Sequence, residues 1–225
     1  MTRVTYFVTA TDTGVGKTVL TAALVRRLVE RGQDVAALKP FCSGDRSDAV
    51  TIRKSLAGRF ALDEINPWYF PSALSPAIAA RKLSRSVCGR EVIGYIRNVS
   101  RRHAVTLVEG AGGLLSPLAQ DLDAEGMITT LRAIALVVCP NRLGAINQTL
   151  LVMRALPPKA AKKARVILMS QPQRERSAES NTSYLREVLG STRVFEFPWL
   201  RAAMRKGAAP PSAQLRRILD SILRC

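Results

Sequence analysis

One histidine, four cysteines and an aromatic fraction of 5% leave this 225-residue chain short of the side chains that build metal centres, disulfide frameworks and base-stacking surfaces. Cys42, Cys88, Cys139 and Cys225 are widely spaced and form no CxxC pair, which excludes zinc-ligand spacing and a disulfide scaffold. Reduced, structural thiols are expected. His103, in RRH before an apolar run, has no motif partner and reads as a surface residue near a strand start. No apolar run approaches the roughly 18 to 20 residues of a membrane span. The opening MTRVTYFVTA has too little hydrophobic length, and no small-residue cleavage site, for a secretory signal. A soluble cytoplasmic protein without a membrane partner is the expectation.

Acid is scarce as well, with 17 Asp and Glu against 34 Lys and Arg, for a formal net charge of +17. Such a field attracts polyanions. The cations are nevertheless scattered, from Arg26 and Arg27 through Lys159, Lys162 and Lys163 to Arg216 and Arg217, with no aromatic interleaving and no nucleic-acid motif. A nucleic-acid partner is not expected, and polyanion binding should be weak and salt-sensitive.

What the chain does contain is alternation. Apolar runs at 4–9, 34–38, 104–109, 134–138, 165–169 and 193–197 are separated by helical patterns at about 17–31, 46–57, 76–82, 89–101, 144–155, 178–189 and 212–223. Most runs are continuously apolar, as for parallel strands covered on both faces. Ser75-Pro76 is a helix start signal. PPKAAKKAR (157–165) reads as a basic surface loop or helix end, and MRKGAAPPS (204–212) as a connector to a last amphipathic helix. The fold class is α/β: a doubly wound, mostly parallel sheet with helices on both faces, in one domain over residues 1–225, whose ligands sit beyond the carboxyl ends of the strands.

The motifs fall at those ends. Gly14, Val15, Gly16, Lys17 and Thr18 follow strand 4–9 and open helix 17–31. Glycines let backbone N–H groups curl around phosphate, the lysine reaches the outer phosphates, and the threonine hydroxyl can ligate magnesium. The spelling is unusual, because the glycine of the common form would fall at Thr11, or at Ala10 in a form one residue longer. Glu109 ends its strand and runs into the glycine patch GAGG (110–113), and Asp48 follows strand 34–38 by a short loop. With Thr18 they would suffice for Mg2+, which keeps few protein ligands. A solvated strand-end acid and a helix N-terminal acid are the plainer alternatives for Glu109 and Asp48. In KPFCSG (39–44), Lys39 can face the same phosphates as Lys17, and two lysines would stabilise a transferring phosphoryl group.

TDTGVGKT (11–18), KPFCSG (39–44), SDA (47–49), NPWYF with SP (66–70, 75–76), VEGAGG (108–113), GAIN (144–147) and FPWL (197–200) together resemble the dethiobiotin synthetase family, in order and spacing, over about residues 4–200. That family has a P-loop NTPase-like fold and uses the longer loop form. The resemblance implies a Mg2+- and ATP-dependent ligase of biotin biosynthesis that closes a ureido ring from 7,8-diaminononanoate and CO2, through a carbamate and its phosphoric anhydride. It implies Lys17 and Lys39 as catalytic residues and Thr18, Asp48 and Glu109 as the metal site. Gly14 to Thr18, Asp48, Glu109, Gly110, Ala111, Gly112, Ser170, Gln171, Pro198, Trp199 and Leu200 would contact ATP. Thr13, Ser43, Gly144, Ala145, Ile146 and Asn147 would contact the diamine, the last four from a neighbouring subunit, so a homodimer is implied. Ala10 stands where the family has glycine, which requires a backbone without positive φ, and Ser170-Gln171 replaces the family's adenine-reading asparagine. A DNA-binding partition-type ATPase and a related amide-forming ligase or regulatory domain are the competing readings. The first would carry an additional lysine early in the loop, and positions 10–16 have none.

Overall fold

The structure is a computed structural model, and it describes residues 3–173, 175–200 and 211–224. In chain order the elements are β1 (Val4–Ala10), α1 (Lys17–Glu30), β2 (Val35–Leu38), β3 (Phe41–Ser43), α2 (Ser47–Ser55), α3 (Leu62–Ile65) and β4 (Trp68–Phe70). There follow α4 (Pro76–Lys82), α5 (Gly89–Ser100), β5 (Val105–Glu109), β6 (Pro117–Ala119), β7 (Leu122–Asp123), α6 (Ala124–Leu131) and β8 (Ile134–Pro140). The chain continues through α7 (Ala145–Ala155), α8 (Pro158–Lys163), β9 (Arg165–Met169), α9 (Ser177–Leu189), β10 (Val194–Phe197) and α10 (Ala213–Ile222).

Six strands form one parallel sheet in the order β10-β9-β8-β1-β5-β2. β1 is central, in register with β5 (Phe7 beside Val108) and with β8 (Phe7 beside Ala135). Its alternation decides which side chain enters which core. Phe7 packs on one face among residues of α4, α5, α6, α7 and α9, while Tyr6, Val8 and Ala10 pack on the other among residues of α1, α2 and α10. Both faces of the sheet are therefore covered, which is why its strands read as continuous apolar runs rather than alternating ones.

The helices bury single stripes. α5 turns Val92, Ile93, Ile96 and Val99 inward, and α10 turns Leu215, Leu219 and Ile222 inward, each such side chain contributing about 1.5–3 kcal/mol. Polar ties fasten α10 to the rest. The Tyr6 hydroxyl donates to the Leu223 carbonyl at 2.7 Å, and Arg27 of α1 grips Asp220 through two bonds of 2.8 and 2.7 Å.

The chain leaves β1 for strands on one side of it and then returns to build the other side, so the crevice beyond β1 is the topological switch point where such sheets bind ligands. The described residues form two further small sheets, β3 paired with β4 and β6 paired with β7, of which β3 lines the crevice. The sequence reading had not anticipated these strands, nor α3 and α6. PPKAAKKAR forms the short helix α8, which buries no residue. Of the expected connector 204–212, residues 204–210 lie outside the described residues. No helix among the described residues is long and apolar enough to cross a membrane.

Candidate active site

The loop 11–16 joins β1 to α1. Gly14 and Gly16 have φ of 73° and 108°, and a Cβ on Gly16 would come within 2.9 Å of the Met169 Cε. Two constraints thus demand glycine there, left-handed backbone and close packing. α1 has no acidic residue in its first turn, so the partial positive charge of its N-terminus is left for an anion. Ala10 ends β1, fully buried, and is absent from the non-glycine residues with positive φ. The methyl in place of glycine therefore carries no backbone strain.

Around the loop the structure brings together the polar residues expected from the sequence. Lys17, 6% exposed, donates to the carbonyls of Asp12 at 3.0 Å and Gly112 at 2.8 Å. The Thr18 hydroxyl lies 2.7 Å from Asp48 Oδ1 and 2.8 Å from Glu109 Oε1. It has one proton for two carboxylates. Lys39, reaching in from the end of β2, donates to Glu109 Oε1 and to the Gly110 carbonyl, both at 2.8 Å, and lies 3.2 Å from Asp48 Oδ2. Glu109 Oε2 is buried without a hydrogen-bond partner. Three hard oxygen donors with an orphaned carboxylate oxygen suit a small divalent cation such as magnesium.

Burial, and then the Lys39 ammonium, push Lys17 down to about 8, against the opposing pull of Glu109, Asp48 and Asp12. Lys39 goes the other way. Burial alone would lower it, but Glu109 and Asp48 outweigh that cost and hold it above its ordinary value. Burial raises the Cys42 thiol to about 11, so it faces the cavity as a neutral group.

A cavity of about 650 Å³ opens over these residues, lined by Thr13, Gly14, Gly16, Lys17, Thr18, Lys39, Ser43, Asp48, Ala111 and Gly112 from the expected set. Phe41, Asp45, Ser47, Ser75, Pro76 and Ser116 line it too and were missed. Signals for some were present: the Asp-x-Ser of Asp45 and Ser47, whose carboxylate accepts from the Ser47 N–H and hydroxyl, and the Ser75-Pro76 helix start. The Ser43 and Ser75 hydroxyls are buried without a partner. A second cavity of about 390 Å³ shares Thr13, Gly14, Gly16 and Val19 with the first and continues past Val15, Met169, Ser170, Gln171, Pro198, Trp199 and Leu200. Arg142 also lines it and had not been anticipated. The Gln171 amide donates to the Met169 carbonyl at 3.0 Å rather than standing free.

Two placements depart from a simple lining role, and His103 stands where the sequence put it. Glu109 and Gly110 lie beneath the cavity, where Glu109 accepts from Thr18 and Lys39 and a Cβ on Gly110 would press on the Phe7 ring at 3.1 Å. Gly144, Ala145, Ile146 and Asn147 form the start of α7, with Gly144 at φ 92°, and line neither cavity. His103 sits at the surface before β5, with Nδ1 2.7 Å from Asp34 Oδ1.

A glycine loop at the β1–α1 junction, two buried lysines and a threonine–carboxylate cluster on a doubly wound parallel sheet define a nucleotide-binding protein of the P-loop class. A family model described as "AAA domain" matches residues 4–206. The protein of Anaeromyxobacter dehalogenans named ATP-dependent dethiobiotin synthetase BioD is 35% identical over 222 residues, covering 96% of each chain. The protein of that name from Marinobacter nauticus is 30% identical over 210 residues, covering 89% of this chain and 90% of its own. The chain belongs to the ATP-dependent dethiobiotin synthetase family. Among solved structures, the MinD cell division protein of Aquifex aeolicus aligns at a TM-score of 0.61 and 16% identity, covering 97% of this chain and 95% of that one, a likeness of fold alone.

Proposed function

We propose that the protein is an ATP-dependent dethiobiotin synthetase, a ligase of biotin biosynthesis, acting as one synthetase domain over residues 1–225. The observation that carries this reading is the cluster of Lys17, Lys39, Thr18 and Asp48 on the larger cavity, with Glu109 beneath it, next to a second cavity that shares the phosphate loop. The larger cavity suits the diamine and the transferring phosphoryl group, and the smaller one the nucleoside.

In the reaction, one amine of 7,8-diaminononanoate adds to CO2 and loses a proton to give a carbamate. A carbamate oxygen takes the γ-phosphoryl group of ATP, releasing ADP. The second amine then attacks the carbamoyl carbon, closing the ureido ring and expelling phosphate. Charge accumulates on phosphoryl and carbamate oxygens throughout, and preorganised cations are the chief means of stabilising it. Lys39 is fixed by Glu109 and the Gly110 carbonyl and is held fully protonated there, so it offers a constant charge to the carbamate and γ-phosphoryl oxygens. Lys17 serves the outer phosphates together with the loop N–H groups. Thr13 and Ser43 lie on the wall where the amines and carbamate would be held, and the orphaned Ser43 hydroxyl supports that role. Thr18, Asp48 and Glu109 would hold magnesium, which would supply positive charge against the phosphate oxygens.

The reading includes a homodimer. The α7 N-terminus suits a carboxylate yet lines neither cavity of its own chain, and Leu143 beside it is 82% exposed. A neighbouring subunit would receive it. ATP and reduced thiols such as buried Cys42 and Cys139 fit a cytoplasmic setting.

The test is phosphate release and dethiobiotin formation from MgATP with and without 7,8-diaminononanoate and bicarbonate, with CTP and GTP as alternative nucleotides and duplex DNA as an alternative effector. Release requiring both diamine and bicarbonate is expected. Normal ATP binding without dethiobiotin would sink the assignment, and release stimulated by DNA alone would favour a partition-type ATPase.

A further inference from the structure

Behind the wall of the smaller cavity lies a cluster of buried polar side chains that the phosphate chemistry does not use. Asn141 follows β8 directly, and its N–H donates to the Met169 carbonyl at 2.8 Å, extending the β8–β9 pairing past the strand end. Its side-chain amide donates to the Ala178 carbonyl at 3.1 Å and to the Thr182 hydroxyl at 3.3 Å. The amide of Asn181, from α9, donates to Asn141 Oδ1 at 3.2 Å and to the Arg142 carbonyl at 2.9 Å. Its two protons allow both bonds at once. Asn141, Asn181 and Thr182 are only 1%, 4% and 4% exposed. Burying three polar side chains is unfavourable unless each is bonded, and here the bonds converge on one short loop.

That loop carries Arg142. Its carbonyl also accepts the Ala145 N–H at 3.0 Å, so the peptide after Arg142 is fixed from two sides. Arg142 is among the residues lining the smaller cavity, where a guanidinium can stack on a base plane or donate to ribose oxygens. The neighbouring Gln171 amide is already committed to the Met169 carbonyl.

We propose that the Asn141–Asn181 amide pair is a positioning device for nucleotide recognition, holding the 141–144 loop so that Arg142 contacts the nucleoside, and that Asn181 acts on nucleotide affinity through Arg142. This rests on the reading of the smaller cavity as the nucleoside site.

The experiment compares the parent protein with Arg142→Ala, Asn181→Leu, Asn181→Asp and the double variant Arg142→Ala/Asn181→Leu. It measures ATP affinity by calorimetry, and KM for ATP and kcat in the dethiobiotin assay. Arg142→Ala and Asn181→Leu should each weaken ATP binding and raise KM about five- to tenfold, with kcat within about twofold. The double variant should bind no more weakly than the weaker single, because both remove one contact. A merely structural role predicts lower thermal stability with unchanged affinity of the folded fraction. Arg142 is exposed, so its variant provides an arm independent of any folding failure at Asn181, and Asn181→Asp keeps the shape while losing the donor. Unchanged affinity in Arg142→Ala, or additive losses in the double variant, would overturn the proposal. Absence of ATP binding by the parent would overturn the nucleoside-site reading and this inference together, whereas normal parental binding with unaffected variants would overturn the inference alone.

Discussion

Removing the Lys39 ammonium should cost the protein stability as well as activity, and the structure sets the size of the loss. The side chains of Lys39 and Glu109 are 4% and 0% exposed and meet at 2.8 Å. Solvent screening therefore gives little relief, and taking away one member of such a pair costs about 3–5 kcal/mol, because the other charge is stranded. The contact with Asp48, whose side chain is 45% exposed, adds less than about 1 kcal/mol. Lys39→Met is accordingly expected to lower the free energy of unfolding by about 3–5 kcal/mol in magnesium-free buffer. Adding Glu109→Gln removes the stranded charge and should recover most of that loss. Urea unfolding of the parent, both single variants and the double variant, extrapolated linearly to water, completes the cycle. A Lys39→Met protein as stable as the parent, or a double variant no better than Lys39→Met alone, would refute the reasoning. In the catalytic arm, Lys39→Met should keep ATP affinity within a few-fold while kcat falls at least about a hundredfold. Equal losses in both would make Lys39 a ground-state phosphate clamp.

Lys17 predicts a pH effect. Its folded-state value of about 8 lies below the unfolded value near 10.5, so between these pH values the unfolded chain binds more protons and stability rises with pH, by at most about 3 kcal/mol. Bound phosphate favours the ammonium, so ATP affinity should instead fall above about pH 8, with uptake of a proton. Calorimetry in buffers of different ionisation enthalpy checks this, and pH-independent affinity between 8 and 10 would contradict it. Gly16→Ala meets a φ of 108° and the Met169 side chain, a strain of about 1–2 kcal/mol before any repacking. ATP should bind at least about tenfold more weakly in a fluorescent-nucleotide titration, and unchanged binding would show that the loop can do without this conformation.

The sheet strands were legible because each is a run of β-branched or apolar residues covered on both faces, and α1, α5 and α10 because their apolar stripes are long. The three-residue strands of β3 and β4 were not legible. Phe41–Ser43 and Trp68–Phe70 pair across more than twenty residues of sequence, and nothing local in either segment announces a partner. α6 is only eight residues long, and its one clear signal is a single cap, Asp123 accepting from the Gly126 N–H at 2.8 Å. At the site, Lys17, Thr18, Lys39, Asp48 and Glu109 could be read from spacing because each stands at or near a strand end. The two carbonyls that hold Lys17 could not, since Gly112 is brought to it only by the pairing of β1 with β5. Arg142 was hidden for a similar reason: it lies in no motif, and its carbonyl is held by an amide of α9, 39 residues further on.

The two cavities divide the chain as well as the ligands. Among the described residues, those lining the larger one fall between positions 13 and 116, and the smaller one draws the wall it does not share from Asp12, Val15 and positions 140–200. If the larger cavity holds the diamine and the smaller one the nucleoside, as proposed, bond making and nucleoside choice are written in separate stretches of the chain. Substitutions at Arg142, Ser170, Gln171 or Trp199 would then act on nucleoside choice while leaving Lys17, Lys39, Thr18, Asp48 and Glu109 in place. On that reading Ser170-Gln171 would bear on nucleoside choice and leave the ring-closing residues untouched.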